Sequence, residues 1–386
     1  MDIFAILNLV VSVVIGLFLL VLLVVLHELG HAIVARRNGV VVEEFGIGFP
    51  PRAWAKKLKN GVTFTLNWLP LGGFVKLQGE HDAAKKKGDY GAASLWAKTK
   101  ILLAGVAVNW LTAVAIFTVL AVVGMPKILE NQFMMPGDTQ EVKKPVILAA
   151  IGKDSPAQKA GLKTGDEVVR FNNHAVPTPQ SLTKLAKEAK GQTVEIIYNR
   201  GGHERSTRTM LRSENQGGYL GVSPAQQTLL RSVWSAPIVG VATTAQFTGE
   251  TFAGFGKLIG GVWNGVASQF STSKQVREDG SKGLSQASDQ VAGPIGILGV
   301  IFPAAREAGF TSLMMLTGII SLTLAVMNTL PIPSLDGGRL FVTLLFRLFR
   351  KPLTKEREEK IHGIGFMVLI GLVMVVTVLD VGRLFK

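Results

Sequence analysis

The sequence predicts a polytopic α-helical membrane protein of about four transmembrane helices, with a soluble β-rich domain inserted between the second and third. Three observations predict this fold class. Residues 4–26 carry no charge and are long enough to cross a ~30 Å hydrocarbon core. Residues 101–125 form a second uncharged span. Between them and the next apolar run lies a polar stretch of short alternating strands and glycine-rich turns, such as VEIIYNR at 194–200. The whole chain agrees: of 386 residues 48% are hydrophobic and only 18% charged, with a mean hydropathy of +0.34, too apolar for an ordinary soluble protein.

Taken in order, residues 1–37 form the first transmembrane helix, which ends in His-Glu-Leu-Gly-His and Arg36-Arg37. Only Asp2 precedes its apolar run, so there is no basic leader region and the helix reads as retained rather than cleaved. Residues 38–99 are a loop carrying Arg52, Lys56, Lys57, Lys59, Lys85, Lys86 and Lys87. The second helix follows at 100–125, then the soluble domain at 126–227. Residues 228–307 read as an amphipathic or interfacial region, weakly patterned over 228–290. The stretches 232–249 and 251–270, rich in Gly, Thr, Ser and Gln, read as amphipathic, interfacial helices, with a pair of true spans as the other reading. A third membrane segment occupies 308–346, a basic loop 347–360 and a fourth helix 361–386. The excess of Lys and Arg in the first and last loops puts both in the cytoplasm, and both termini and the soluble domain outside. That placement accounts for the formal charge of +14. No basic element with interleaved aromatics is present, so nucleic acid is not an expected partner.

The chemistry begins at VVLHELGHAIVARRNG, residues 24–39. Ionisable groups are costly in lipid, so three at the end of an apolar span mark function. His27, Glu28 and His31 have the spacing H-E-x-x-H. Positions i and i+4 share one helix face, so both imidazoles can hold one zinc, and Glu28 then stands beside the metal as general base for water. A chance match with two histidines hydrogen-bonded in a bundle is the bland reading, and burial in an apolar span argues against it. The chain has no cysteine, so further ligands must be His, Asp or Glu. Catalytic zinc takes three protein ligands and leaves a position for water. MNTLPIPSLDGGRLFV (327–342) offers Asp336. His27 lies nine positions before Arg36, about 13 Å of helix, and Asp336 eleven before Arg347, about 16 Å, so their depths agree. Pro331 and Pro333 interrupt the helix before Asp336 and Gly337-Gly338 loosen it after, as expected where backbone lines a watery cavity. Arg339 either pairs with Asp336 or faces the cytoplasmic water.

In the soluble domain, GKDSPAQKAGLKTGDEVVRFNNHAV (152–176) resembles the PDZ domain of bacterial proteases. Ser155-Pro156-Ala157 opens a short helix, Gly161-Leu162 ends it, and Gly165-Asp166 turns into the strand VVRF. Such a domain binds a peptide or C-terminus by strand addition. His174 and His203 read as exposed loop residues.

Together, H-E-L-G-H in a first span, a PDZ-like insert, and N-x-x-P-x-P-x-L-D-G in a later span resemble the site-2 proteases, zinc metalloproteases that cut within the membrane. More narrowly, the sequence is similar to the bacterial branch with PDZ domains between the second and third spans. The resemblance implies zinc ligation by His27, His31 and Asp336, and Glu28 as general base. It implies that Asn328 bonds the substrate carbonyl or its oxyanion, against a plain helix–helix hydrogen bond. FGIGFPPRAW (45–54), with Gly46 and Gly48, resembles the family's G-x-G loop. VTFTLNWLPLGGFVKL (62–77) resembles its membrane-associated β-hairpin, whose edge would hold an unwound substrate extended; the alternative is an ordinary cytoplasmic hairpin. Phe64, Leu66, Gly72, Gly73 and Phe74 there, with Pro331 and Pro333, are the implied substrate-binding residues. AGVAVNW (104–110) resembles A-G-P-x-x-N with Val106 in place of proline, and GPIGI (293–297) matches a further family segment. The implied partners are single-span membrane protein substrates in the bilayer, and the implied location is the bacterial cytoplasmic (inner) membrane. A catalytically silent PDZ-bearing scaffold is the competing reading. A transporter lacks support, because no inverted repeats are visible.

Overall fold

The computed structural model describes residues 3–384 except 215–216, 270, 272, 276, 279–281 and 284–291. The chain divides into two compact units, Met1–Leu120 with Ala236–Lys386, and Ala121–Ser235. Among the described residues, four helices are long and apolar enough to cross a membrane: Ile6–Arg37, Leu95–Val123, Phe310–Thr329 and Lys355–Arg383.

The first unit opens with α1 (Ile3–Arg37), followed by β1 (Val42–Lys57) and β2 (Thr63–Leu77). The two strands are long, bent and interrupted by register shifts. Phe45 has Cα partners in both Phe64 and Val75, so the start of β1 has β2 on two sides. The sequence thus folds 62–77 as two runs around Pro70-Leu71-Gly72. α2 (Leu95–Val123) packs against α1 where glycine allows it: a Cβ on Gly30 would stand 2.8 Å from the Ala104 carbonyl. Small residues at such crossings bring helix backbones together in lipid.

After the second unit comes α5 (Ala236–Gln269), one continuous helix of 34 residues. This corrects the expectation of two helices at 232–249 and 251–270. Glu250, between the two stretches, is exposed, and α5 runs through it. The first half of α5 lies on α2: the Phe117 and Phe247 rings are 5.8 Å apart, and Trp110 Nε1 donates to Thr248 Oγ1 at 3.2 Å.

Then come a single turn, α6 (Pro294–Gly296), a π-helical turn at Ile297–Ile301, and α7 (Phe302–Glu307). The Asp380 carboxylate accepts from the Gly296 amide at 2.8 Å. α8 (Phe310–Thr329) stops at Leu330, and α9 (Asp336–Leu348) begins after the proline loop, so the third segment is two helices separated by extended chain. α10 (Lys355–Leu384) closes the unit.

The second unit is a seven-stranded sheet. Its strands are β3 (Met125–Pro126), β4 (Gln140–Ile151), β5 (Glu167–Phe171), β6 (His174–Ala175), β7 (Thr193–Arg200), β8 (His203–Met210) and β9 (Val222–Arg231). The order is β3-β9-β4-β5-β7-β8, with β6 paired to β5. Ser155 caps the short α3 (Pro156–Lys159), and Thr178 and Ser181 form a reciprocal capping box on α4 (Pro179–Glu188). Val146, Leu148, Val168, Phe171, Leu182 and Ile196 form its core.

Candidate metal centre

The end of α1 places His27 and His31 one turn apart on a single face. α9 begins at Asp336, which puts that carboxylate at a helix N-terminus, where the backbone dipole favours negative charge. The loop 330–335 folds tightly over this first turn. A Cβ on Gly337 would overlap the Thr329 carbonyl and one on Gly338 the Ile332 carbonyl, so only glycines fit there. Pro331 is exposed and Pro333 partly buried at this bend, and Ser334 holds a φ of 83°.

Three donor atoms converge. His27 Nε2 is 3.1 Å from Asp336 Oδ2, His31 Nε2 is 3.2 Å from the same oxygen, and the two Nε2 atoms are 3.1 Å apart. Both histidines are buried. Among the described residues this is the one group of three or more such side chains with metal-ligand spacing. Zinc bonds of 2.0–2.1 Å in a tetrahedron put ligand atoms about 3.3 Å apart, so the triangle fits that ion. The donor chemistry points the same way. His31 Nδ1 lies 2.7 Å from the Ile101 carbonyl and donates to it. In the neutral ring this leaves a bare lone pair on Nε2 facing a carboxylate oxygen, a repulsive arrangement without a cation between them. Gly105 supplies the room: a Cβ there would lie 2.5–2.6 Å from His31 Nε2 and from His27 Cε1 and Nε2. Sequence reading flagged AGVAVNW without seeing that purpose. Its only signal was the four-residue spacing of Ile101, Gly105 and Asn109, which puts all three on the face of α2 towards α1.

Glu28 points to the hairpin. A Cβ on Gly73 would lie 3.6 Å from Glu28 Cγ, so the side chain rests against the hairpin. The run 73–77 pairs with β1 on one side, and among the described residues has no strand on the other. Gly46 leaves space for the Phe74 ring, and Gly48, with φ of 78°, lets the Leu69 carbonyl approach. Asn67 Nδ2 ties that part of β1 down by donating to the carbonyls of Ile47 (3.3 Å) and Gly48 (3.1 Å), so the expected G-x-G loop is strand here. Phe64 stacks on Phe45 with centroids 6.2 Å apart, Leu66 is partly exposed, and Gly72 (φ 78°) lies against Phe49.

Two residues sit differently from the simplest expectation. Asn328 Nδ2 donates to the Leu324 carbonyl of its own helix at 3.0 Å, a bond within the helix rather than between helices. Arg339 neither pairs with Asp336 nor faces open water. It donates to the Glu80 carbonyl at 3.2 Å and lies 5.7 Å over the Tyr90 ring.

Among the solved structures that overlap part of the chain is the PDZ domain of the SdrC-like protein of Listeria monocytogenes. It is 23% identical, covers 21% of this chain and 87% of that one, and has a TM-score of 0.19. Relatives span nearly the whole length. The zinc metalloprotease RasP of Geobacillus kaustophilus is 27% identical over 94% of this chain and 96% of its own. That of Oceanobacillus iheyensis is 23% identical over 94% and 97%. A Clostridium perfringens relative is 30% identical over 93% and 95%. The model of Peptidase family M50 matches residues 15–372. The converging His-His-Asp group and this full-length match agree: the chain belongs to peptidase family M50, the site-2 protease type, and is a zinc metalloprotease of the membrane.

Proposed function

We propose that this protease cuts single-span membrane proteins within or beside their spans, in the bacterial cytoplasmic membrane, with both termini and the sheet unit outside. His27, His31 and Asp336 hold the zinc, and Glu28 is the general base. The observation that carries this reading is the triangle of donor atoms 3.1–3.2 Å on a side, next to Glu28, whose side chain lies against Gly73 of the hairpin.

When bound, zinc supplies Lewis acidity that acidifies water and polarises a peptide carbonyl. The chain's own residues do the rest. A transmembrane helix hides its peptide bonds, so it must be unwound before cleavage. The free edge at 73–77 takes the unwound segment as an added strand, bringing its backbone alongside Glu28. Glu28 takes the proton from the attacking water and passes it to the leaving amine. Asn328 exchanges its bond to Leu324 for one to the developing oxyanion. Gly46, Gly48, Phe64, Leu66, Gly72, Phe74 and the Pro331–Pro333 bend shape the slot.

Outside, the sheet unit acts as a PDZ-type filter for chain termini. Its element order supports this, as does a cavity of about 170 Å³ between α4 and β9, lined by Leu182, Ala186, Tyr219, Leu220 and Val222. Substrates already trimmed by another protease are the ones admitted.

Glu28→Gln in the full-length protein in a bilayer tests the mechanism. Zinc content should stay at the wild-type level while cleavage of a single-span substrate falls at least about 100-fold. Full activity in that variant would sink the assignment.

A further inference from the structure

His31 and His27 are served differently by α2. His31 Nδ1 has the Ile101 carbonyl, which can only accept. His27 Nδ1 has Asn109 Nδ2 at 3.4 Å, and among the described residues no other partner. Asn109 is 1% exposed, and its Oδ1 is buried without a hydrogen-bond partner. Its backbone is anchored: the Asn109 carbonyl accepts from Ser321 Oγ of α8 at 2.8 Å, which fixes where the side chain starts. A fully buried carboxamide with an idle oxygen, one atom away from a metal-site imidazole, calls for a reason.

The reason follows from the tautomer. A neutral imidazole protonates one nitrogen, and the other carries the lone pair. With Nδ2 facing Nδ1, His27 keeps its proton on Nε2, the atom that points to Asp336 and His31. That state cannot bind a metal through Nε2. Rotation of the amide by about 180° exchanges Oδ1 and Nδ2 without changing its shape. Oδ1 then accepts from Nδ1–H and frees the Nε2 lone pair, as carbonyls and carboxylates do behind metal-bound histidines.

We propose that Asn109 is a positioning residue for the metal centre, whose carboxamide turns Oδ1 to His27 Nδ1–H and so sets the tautomer in which Nε2 ligates zinc. The inference rests on the ligand set proposed above. On this view α2 is the backing plate of the site: Ile101 orients His31, Gly105 makes room, and Asn109 orients His27, on three successive turns.

The test uses full-length protein in detergent micelles and measures zinc affinity by competition with a chelator. Asn109→Ala should bind zinc about 10–100-fold more weakly than wild type. Asn109→Asp, which keeps an acceptor at the same place, should stay within about threefold of it. The zinc-free forms of wild type and Asn109→Ala should unfold alike. Equal zinc affinity in Asn109→Ala overturns the inference, and so does an Asn109→Asp variant no tighter than Asn109→Ala. ¹⁵N-histidine spectra of the zinc-loaded wild type need no variant at all. Two metal-bound rings with protonated Nδ1 are expected, and ligation through any Nδ1 refutes the inference. A wild type that holds no zinc would overturn the ligand set itself, and this inference with it.

Discussion

Asp166 in the sheet unit and Asp336 in the membrane unit are both carboxylates set against basic side chains, and they are satisfied in opposite ways. Asp166, 1% exposed at its side chain, takes a two-pronged grip from Arg200: Nε to Oδ1 at 2.6 Å and Nη2 to Oδ2 at 2.7 Å. The Lys163 amide adds a third bond at 2.8 Å. Everything this carboxylate needs is supplied by the chain itself. Asp336 instead offers one oxygen to two imidazole nitrogens, and in the neutral ring the one on His31 is left as a lone pair by its bond to Ile101. In that state the arrangement is incomplete without a cation. The contrast separates a structural ion pair from the proposed metal site more sharply than burial does, since both are largely hidden from solvent.

Removing the carboxylates should break the two sites differently. Asp336→Ala should lose stoichiometric zinc and all measurable cleavage, read by metal analysis and by substrate processing in a bilayer. Retained zinc would mean that the triangle is not the ligand set.

Asn328→Ala sharpens the open end of the comparison. If its amide leaves Leu324 for the oxyanion only at the transition state, kcat should fall about 100–1,000-fold with little change in KM. A change confined to KM would assign it to substrate binding instead.

The smallest effect belongs to the closed pair. Asp166→Ala should destabilise the sheet unit by about 2–4 kcal/mol, read by hydrogen exchange in the full chain, and leave zinc content unchanged. Burial pushes the Asp166 carboxyl up, but the Arg200 fork and the Lys163 amide outweigh it and hold it below the usual carboxylate range. The pair therefore contributes its full stability above about pH 4 and loses it as acid protonates Asp166 through its lower folded value. Exchange in β5 and β7 that stays flat as the pH falls below 4 would contradict this.

What the sequence made legible follows from the range of each interaction. H-E-x-x-H could be read because four residues are one helical turn, and Asp336 because depth along two helices can be counted from flanking arginines. Ser155-Pro156-Ala157 announced the short helix α3, which Ser155 caps. The continuity of α5 could not be read: both stretches are weakly patterned and rich in Gly, Thr, Ser and Gln, and no local signal there separates one long helix from two. The functions of Gly105 and Ile101 were equally hidden. One acts through an absent side chain and the other through a main-chain oxygen, so neither has a signature in residue type. Asn109 meets His27 across 82 positions, and no local pattern announces that contact.

The break between α8 and α9 has a consequence for the whole unit. The proposed ligands come from the first helix and from one that begins 309 positions later, after chain that is not helical. An ion held between them would act as a removable cross-link closing most of the polypeptide into a loop. By mass action, free zinc at about 1,000 times its dissociation constant would add about 4 kcal/mol to the folded form. Metal supply would then set the lifetime of the enzyme in the membrane as well as its activity.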